Sequence, residues 1–302
     1  MSSPGRAALN PRVDARLCRR PPRWRVPFTP SHAVVALPFV RTPLPFGAIA
    51  VGSMAPDVPL FFPVGVTYEQ THGFPSLLLF SVPVAVLLYL VWRVLLRPAA
   101  RALLPTSIGS RLPTSWDSRG PVPGDGTGPW TDPGTGSGAG LARTAPWALL
   151  ALVLGVLTHV FWDAFTHPDR FGSTLIPALA EQWGPWVGTQ WAQYVSSLGG
   201  LVVLGIAAVR YLRRTPPTTT PETALLVPDA RIRLVFWASL AAALVAGVVI
   251  VAATRGLPTD VHTAKSFTFF AGTLAGALVL VATAVAAVAV QLIRARAHPR
   301  RA

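Results

Sequence analysis

Five long runs of apolar residues constrain this chain more than any other feature of its sequence. A bilayer's hydrocarbon core is about 30 Å thick, and an α-helix needs about 20 apolar residues to cross it. Because lipid offers no partner for backbone polar groups, runs of this kind fold as membrane-spanning helices. The predicted spans cover residues 74–96, 146–165, 194–212, 234–253 and 267–293.

The composition agrees with an integral membrane protein. Hydrophobic residues make up 51% of the chain and charged residues only 13%, which is an unusually apolar balance for a soluble domain. The formal net charge is +14 and comes almost entirely from arginine. The arginines flank the apolar runs, which fits the positive-inside rule better than a nucleic-acid-binding surface. Cys18 is the single cysteine, so an intrachain disulfide is excluded.

The arginine distribution also predicts an orientation. The loops after the first and third runs and the C-terminal tail are rich in arginine, and we expect them in the cytoplasm. The loops that hold Arg170 and Arg255 carry few positive charges and are expected outside. We therefore predict a multi-pass protein of the cell (plasma) membrane with a cytoplasmic C-terminus. Membrane lipid is the expected partner, no nucleic acid is expected, and nothing indicates an oligomeric state.

The fold class that follows is all-α: a polytopic transmembrane bundle of about five spans plus a broken or re-entrant N-terminal helical hairpin. Prolines interrupt the stretch before the first span, so its short helices either cross the membrane or re-enter it. The predicted units are a basic disordered tail (1–25), N-terminal broken helices with the first span (26–96), a flexible cytoplasmic loop (97–145), the second and third spans (146–212), a linker (213–232), and two C-terminal spans with a basic tail (233–302).

A cluster of metal-ligand side chains lies at the end of the second run. His159, Asp163 and His167 are spaced i, i+4 and i+8, so they share one helix face. His159 and His167 are about 12 Å apart along the axis, too far to share one ion, whereas Asp163 is within reach of either. Pro168 disfavours helix at His167, where we expect the helix to end. Ionisable groups at membrane depth are costly and are usually functional; the alternative is a polar stripe that bonds to loops or headgroups.

The predicted topology brings further polar residues to the same outer side. The alternation of the five spans places His72 and Gln193 there. His32 and Asp57 join them if the N-terminal segment is a hairpin, whereas a simple crossing would place His32 on the opposite side. Gln193 and Ser197 are expected as supporting polar residues, or else as ordinary polar contacts between membrane helices.

The chain contains the stretches VPFTPSHA (26–33), GSMAPD (52–57), THG (71–73), LTHVFWDAFTH (157–167) and QYVSSLG (193–199). Together these five stretches resemble the bacterial membrane proteins of domain-of-unknown-function family 4184 (DUF4184). The resemblance extends from Val26 to about Gly200. Members of that family usually begin Met-Pro-Phe-Thr-x-Ser-His, and Val26 occupies the Met position. Residues 1–25 are therefore either the basic tail or an upstream stretch that is not translated, with translation starting at Val26.

A more distant resemblance is to membrane-bound metal-dependent hydrolases and, through them, to zinc-dependent phospholipase C. Those enzymes order their ligands as an early His, an Asp, a further His, and then a His-x-x-x-Asp pair on a helix. The resemblance implies the metal ligands His32, Asp57, His72, His159 and Asp163, with His167 following.

Two functions remain open on the sequence alone. The first is a metal-dependent hydrolase in which zinc or another divalent ion activates water against a lipid or phosphoester at the outer membrane face. The second is a non-catalytic protein that uses the same cluster as a structural metal site, an ion relay or a polar packing network. The sequence assigns no catalytic residue.

Overall fold

A computed structural model of the protein describes residues 29–117, 138–218 and 230–297. The predicted basic tail and the alternative start at Val26 lie outside these residues. The centre of the predicted cytoplasmic loop and most of the predicted linker also lie outside them.

Five of the helices in the described residues are long and apolar enough to cross a membrane, which confirms the predicted all-α multi-pass bundle. Each extends beyond its apolar run, because helical hydrogen bonding continues into polar flanking residues that a count of apolar residues leaves out. We call them the first to fifth spans, and they are Ser76–Leu103, Ala145–Thr166, Gly188–Arg214, Ala230–Arg255 and Val261–Arg296.

The first span continues into the stretch that the sequence analysis assigned to a flexible loop. It consists of α-helix at Ser76–Val91, a π-helical turn at Trp92–Leu96, and α-helix again at Arg97–Leu103. The wider π turn precedes Pro98, whose ring would otherwise clash with the carbonyl one turn earlier. Short helices at Thr106–Gly109 and Thr114–Asp117 follow, so the beginning of the expected loop is ordered helix.

The ends of the first, fourth and fifth spans meet at one end of the bundle. Arg233 donates to the carbonyl of Ala102 at 3.0 Å, and Arg294 donates to that of Pro98 at 2.6 Å. The Ala102 carbonyl belongs to the last turn of the first span, where a helix leaves carbonyls without a partner, and the Arg233 guanidinium group supplies one. We call the opposite end, where the second span ends and the third begins, the site end.

The N-terminal segment forms a broken helical hairpin, as predicted. Its first arm is a 3₁₀ helix, Thr29–Arg41, and its second arm holds the helix Phe46–Gly52, a 3₁₀ turn at Ala55–Asp57 and the helix Val58–Phe61. The Thr29 hydroxyl donates to Asp57 Oδ2 at 2.7 Å, so the start of the first arm and the end of the second lie side by side. His32 and Asp57 therefore lie at the same end of the hairpin.

Two glycines let the hairpin contact the second span backbone to backbone. A Cβ atom on Gly155 would collide with the Ile49 carbonyl and approach the Ser53 amide nitrogen to 2.7 Å, and one on Gly52 would collide with the Leu152 carbonyl. Small residues permit this close approach between membrane helices. The contact places Ser53 next to the turn of the second span that carries His159.

The connection between the second and third spans holds Trp183 and Trp186 and is structured. It contains a helix at Phe171–Leu175, a 3₁₀ turn at Pro177–Leu179, and an antiparallel pair of two-residue strands, Gln182–Trp183 and Trp186–Val187. Gly184 adopts a positive φ of 64° in the tight turn between the strands, a conformation that glycine tolerates without strain.

The fourth and fifth spans pack closely on each other and carry no member of the predicted metal site. A Cβ atom on Gly247 would collide with Ala275, so the two helices touch at these small residues. Gly276 approaches the Phe61 ring of the N-terminal hairpin, which joins this pair of spans to the rest of the bundle.

Candidate metal centre

Four ligand-type side chains from three separate segments meet at the site end of the bundle. Asp57 comes from the hairpin, His72 from a short helix before the first span, and His159 and Asp163 from the second span. All four are buried, and one potential ligand atom from each lies within 4.8 Å of the others. We call them the buried group; it could hold a metal ion.

The short helix Tyr68–His72 has local signals that fix its position. Thr67 and Gln70 form a capping box, in which the Thr67 side chain accepts from the Gln70 amide and the Gln70 side chain accepts from the Thr67 amide. Ser81 in the first span donates to the carbonyl of Thr71 at 2.7 Å. These bonds hold His72 over the end of the second span.

Five of the six distances within the buried group are close to the edges of a tetrahedron around a small cation. The Nε2 atoms of His72 and His159 are 3.2 Å apart, and each lies 3.5 Å from Asp163 Oδ2. Asp57 Oδ1 is 3.6 Å from His159 Nε2 and 3.9 Å from His72 Nε2. Zinc bonds to nitrogen and oxygen of about 2.0–2.1 Å imply ligand separations of about 3.3–3.4 Å in a tetrahedral site.

Backbone contacts decide which nitrogen of each imidazole faces the group. His159 Nδ1 lies 2.7 Å from the Ser53 carbonyl, which can only accept, so Nδ1 carries the hydrogen. His72 Nδ1 lies 3.2 Å from the Tyr68 carbonyl and 2.7 Å from the Thr71 hydroxyl oxygen. Since Thr71 donates its own hydrogen to the Tyr68 carbonyl at 3.1 Å, we assign a hydrogen to His72 Nδ1 as well.

The consequence is a site lined only by electron-pair donors. Both Nε2 atoms present lone pairs to each other and to the carboxylates of Asp57 and Asp163. Buried charges and lone pairs of this kind repel unless a cation or added protons lie between them. Metal-binding histidines usually donate a hydrogen bond from their other ring N–H to an oxygen such as a backbone carbonyl. The residues present therefore fit a divalent cation.

Two hydroxyl groups that the sequence analysis missed support the carboxylates. Thr29 donates to Asp57 Oδ2 at 2.7 Å, and the Tyr68 hydroxyl donates to Asp163 Oδ2 at 3.2 Å. Tyr68 also stacks on the His72 ring with 3.8 Å between the ring centres. Its spacing of four residues from His72 on one helix was a usable signal, whereas Thr29 is brought to Asp57 only by the hairpin.

His32 and His167 lie beside the buried group rather than in it. The His32 ring stacks on His159 with 4.1 Å between centres, and its Nε2 is 3.9 Å from Asp163 Oδ1. His167 Nδ1 is 3.5 Å from Asp163 Oδ2. Their side chains are 14% and 22% exposed, against 0% for His159. The two histidines therefore form a partly open rim next to Asp163.

The rim residue His32 and the neighbouring Tyr68 have pKa values shifted by their surroundings. Burial disfavours the charged imidazolium and lowers the pKa of His32 to about 4, so its imidazole is neutral at pH 7. Burial and the adjacent Asp163 carboxylate raise the pKa of Tyr68, so the phenol keeps its proton and remains a hydrogen-bond donor.

Gln193 and Ser197 lie on the buried face of the third span. Neither hydrogen-bonds to the buried group in the part of the chain that the structure describes. Gln193 Oε1 and the neighbouring Thr189 Oγ1 are buried atoms without a hydrogen-bond partner among the described residues. The direct polar link between the second and third spans is instead Trp162 Nε1, which donates to Ser196 Oγ at 3.1 Å.

The buried group lies inside the span rather than on the surface of the bundle. Asp163 and His159 precede the end of the second span, Thr166, by about 5 and 10 Å at 1.5 Å per residue. The group is therefore within the outermost third of a membrane-crossing helix, just below the connection that carries the tryptophans.

Comparison with known proteins gives one match. The family model described as Domain of unknown function (DUF4184) matches residues 26–290, which is well over half of the chain and includes every member of the buried group and its rim. No curated protein and no solved structure matches the chain significantly.

Proposed function

The chain belongs to the DUF4184 family, and we propose that its buried group binds one divalent metal ion, with zinc as the best fit. The observation that carries the proposal is the orientation of the imidazoles of His72 and His159. Their Nδ1 atoms lie against the backbone carbonyls of Tyr68 and Ser53, and their Nε2 atoms face each other at 3.2 Å. Two nitrogens and two carboxylate oxygens at tetrahedral separations are a donor set that zinc favours.

The chemistry proposed for this centre is hydrolysis. A bound divalent ion would supply an activated water and polarise an ester oxygen. The residues around it have complementary tasks: Asp163 is held by Tyr68, and His32 offers a neutral imidazole beside Asp163 Oδ1 that can hydrogen-bond to an entering water. The partly exposed rim of His32 and His167 gives such a water its entry.

A lipid or lipid-linked phosphoester is the proposed substrate class, with the site end at the outer membrane face. The buried group lies a few ångströms inside the span, within reach of headgroups rather than bulk water. The connection above it exposes the apolar side chains of Phe171, Leu175 and Trp183, and indoles favour the membrane interface.

The proposed orientation places the C-terminus in the cytoplasm of a cell with this protein in its plasma membrane. The arginines of the described spans concentrate at the end opposite the site, as the positive-inside rule requires for the cytoplasmic side. They are Arg93, Arg97, Arg101, Arg210, Arg213, Arg214, Arg231, Arg233, Arg294 and Arg296.

A structural metal site is the second candidate, and one observation favours it. The buried group offers four protein ligands, and structural zinc sites are closed by four protein ligands whereas catalytic sites leave a position for water. In that case the ion would join the hairpin, the short helix and the second span without turnover. If protons replace the ion, the same residues would form a polar network or relay.

Metal content of the detergent-purified protein tests the proposal. We expect about one divalent ion per chain by elemental mass spectrometry, and its loss in the double variant His159→Ala/Asp163→Asn. The matched control is His262→Ala, which removes an exposed histidine at the start of the fifth span. This control should keep the full metal content.

The outcomes separate the candidates. Metal no higher than in the double variant, in protein never exposed to chelator, contradicts a metal centre. Metal that is bound and raises the melting temperature, with no hydrolysis of lipid phosphoesters, favours the structural site. Metal-dependent hydrolysis that the double variant loses favours the enzyme.

A further inference from the structure

Arg170 lies beside the rim of the buried group, at the start of the connection after the second span. Its guanidinium carbon is 4.7 Å from the centre of the Tyr68 ring, and its Nη2 atom is 3.6 Å from Glu69 Oε1. Tyr68 spans the interval to the buried group, because its hydroxyl lies 3.2 Å from Asp163 Oδ2. One phenol ring therefore separates the guanidinium group from a ligand of the proposed metal ion.

The helix that begins after Arg170 forms without using the Arg170 side chain. The main chain of Arg170 caps the helix Phe171–Leu175: its N–H donates to Ser173 Oγ at 3.1 Å, and its carbonyl accepts from the Thr174 amide at 3.0 Å. Both bonds persist whatever side chain is present. The guanidinium group is thus positioned by the helix start and is not needed to form it.

The ion pair that holds the guanidinium group is easily exchanged. The Glu69 side chain is 75% exposed and that of Arg170 is 35% exposed. Ion pairs between exposed groups are weak because solvent screens them. A ligand with two anionic oxygens in one plane can make a bidentate contact that Glu69 does not make here, since the guanidinium fork matches carboxylate and phosphate geometry.

Charge balance explains what such an arginine would add. The carboxylates of Asp57 and Asp163 neutralise a divalent ion, so the loaded centre by itself would have no net attraction for an anion. Arg170 supplies a positive charge at the rim once it leaves Glu69. Glu69 therefore occupies the Arg170 guanidinium group until an anionic ligand displaces it.

We propose that Arg170 recognises the phosphate group of the substrate by exchanging Glu69 for two phosphate oxygens at the rim of the buried group. This inference rests on the proposed metal-binding function. Phosphate fits better than carboxylate because a tetrahedral anion can give two oxygens to the guanidinium group and direct a third toward the metal centre. A carboxylate uses both of its oxygens in the contact with the arginine.

Inorganic phosphate is the probe, and the metal-loaded protein in detergent is the sample. With Mn²⁺ in the centre, bound phosphate is detected by paramagnetic broadening of its ³¹P signal, and titration gives an apparent Kd. We expect Arg170→Gln to weaken binding at least tenfold, Arg170→Lys to weaken it less, and Glu69→Gln to tighten it several-fold. All three variants should keep the metal content of the wild-type protein.

Arg255→Gln is the matched control. Arg255 also lies at the site end and stacks on an aromatic ring, with 3.4 Å between its guanidinium carbon and the centre of Phe270, but it belongs to the pair of C-terminal spans. Its replacement should leave phosphate binding unchanged. An equal loss in this variant would show a general charge effect and overturn the assignment.

Failure of this inference is distinguishable from failure of the metal proposal. If the wild-type protein binds no metal, both fall. If it binds metal and phosphate, but Arg170→Gln binds phosphate as tightly, the role of Arg170 alone is overturned. Nanodiscs of phosphatidylcholine with and without phosphatidate separate the sources: competition with free phosphate by phosphatidate alone identifies a lipid headgroup, and no competition identifies a soluble phosphate compound.

Discussion

The hydrogen bonds of individual side chains determine what the buried group can hold. His159 and His72 each turn Nε2 inward because Nδ1 has an oxygen acceptor nearby. Asp57 accepts a hydrogen bond from the Thr29 hydroxyl, and Asp163 accepts one from the Tyr68 hydroxyl. Partners of this kind fix the orientation of metal ligands and tune their basicity, so their removal should weaken binding without removing a ligand.

Replacing Tyr68 by Phe tests this support directly. The variant loses the hydroxyl group bonded to Asp163 but keeps the ring that stacks on His72. We expect zinc affinity to fall about tenfold, the lower end of what loss of such a partner usually costs. Competition with a chromophoric chelator measures the affinity. Tyr194→Phe is the control, since Tyr194 contacts Trp186 rather than the buried group; an equal drop there would argue against a specific role of Tyr68.

Two buried threonines should respond to the same substitution in opposite ways. Thr29→Val removes a hydroxyl donor to Asp57, and the melting temperature should fall by the equivalent of about 1–3 kcal/mol because a buried carboxylate oxygen loses its partner. Thr189→Val removes a buried hydroxyl that has no partner among the described residues, so stability should hold or rise. Thermal unfolding of both variants in the same detergent compares them. A fall in both would show that the hydroxyl groups are equivalent in their effect on stability.

Helix contacts, rather than the ligands themselves, bring the buried group together. The hairpin reaches His159 only because Gly52 and Gly155 allow its main chain to touch the second span. Of this arrangement the sequence predicted the shared face of His159 and Asp163, since helical spacing alone determines it. It left the path of the hairpin open, because the proline interruptions are equally compatible with a crossing and with a return.

Gly155→Ala should therefore disturb the site without changing any ligand. The added Cβ atom would collide with the Ile49 carbonyl, and overpacking of this kind costs about 1–3 kcal/mol. We expect a lower melting temperature and reduced metal content. Gly199→Ala in the third span is the control, because nothing lies within 4 Å of its added Cβ atom, and both measurements should stay at the wild-type level. Normal metal content in Gly155→Ala would show that the contact does not position the site.

For the whole bundle, the sequence predicted the number and position of the spans but not every helix boundary or contact between segments. Run length and polarity predicted all five spans, because the bilayer imposes both. The continuation of the first span through Pro98 to Leu103 was not predicted, since the π turn before the proline has no clear sequence signal. Thr29 was missed for a related reason: its partner lies 28 residues away and depends on the hairpin.

Labelling of introduced cysteines tests the proposed orientation of the bundle. In a Cys18→Ser background, Glu69→Cys places a thiol at the exposed site end, and Thr114→Cys places one at the exposed opposite end. A membrane-impermeant maleimide added to intact cells should label the first variant and not the second, whereas both should react after lysis. The reverse pattern would place the buried group on the cytoplasmic side and contradict the proposed topology.

The order of the ligands along the chain has a consequence for how the protein is made. Asp57 and His72 leave the ribosome long before His159 and Asp163, and synthesis proceeds at about 5–20 residues per second. During that interval Asp57 and His72 have been synthesised but His159 and Asp163 have not, so the buried group is incomplete. The proposed ion could enter only after the second span has been inserted beside the hairpin, so metal loading would follow membrane insertion of the N-terminal half.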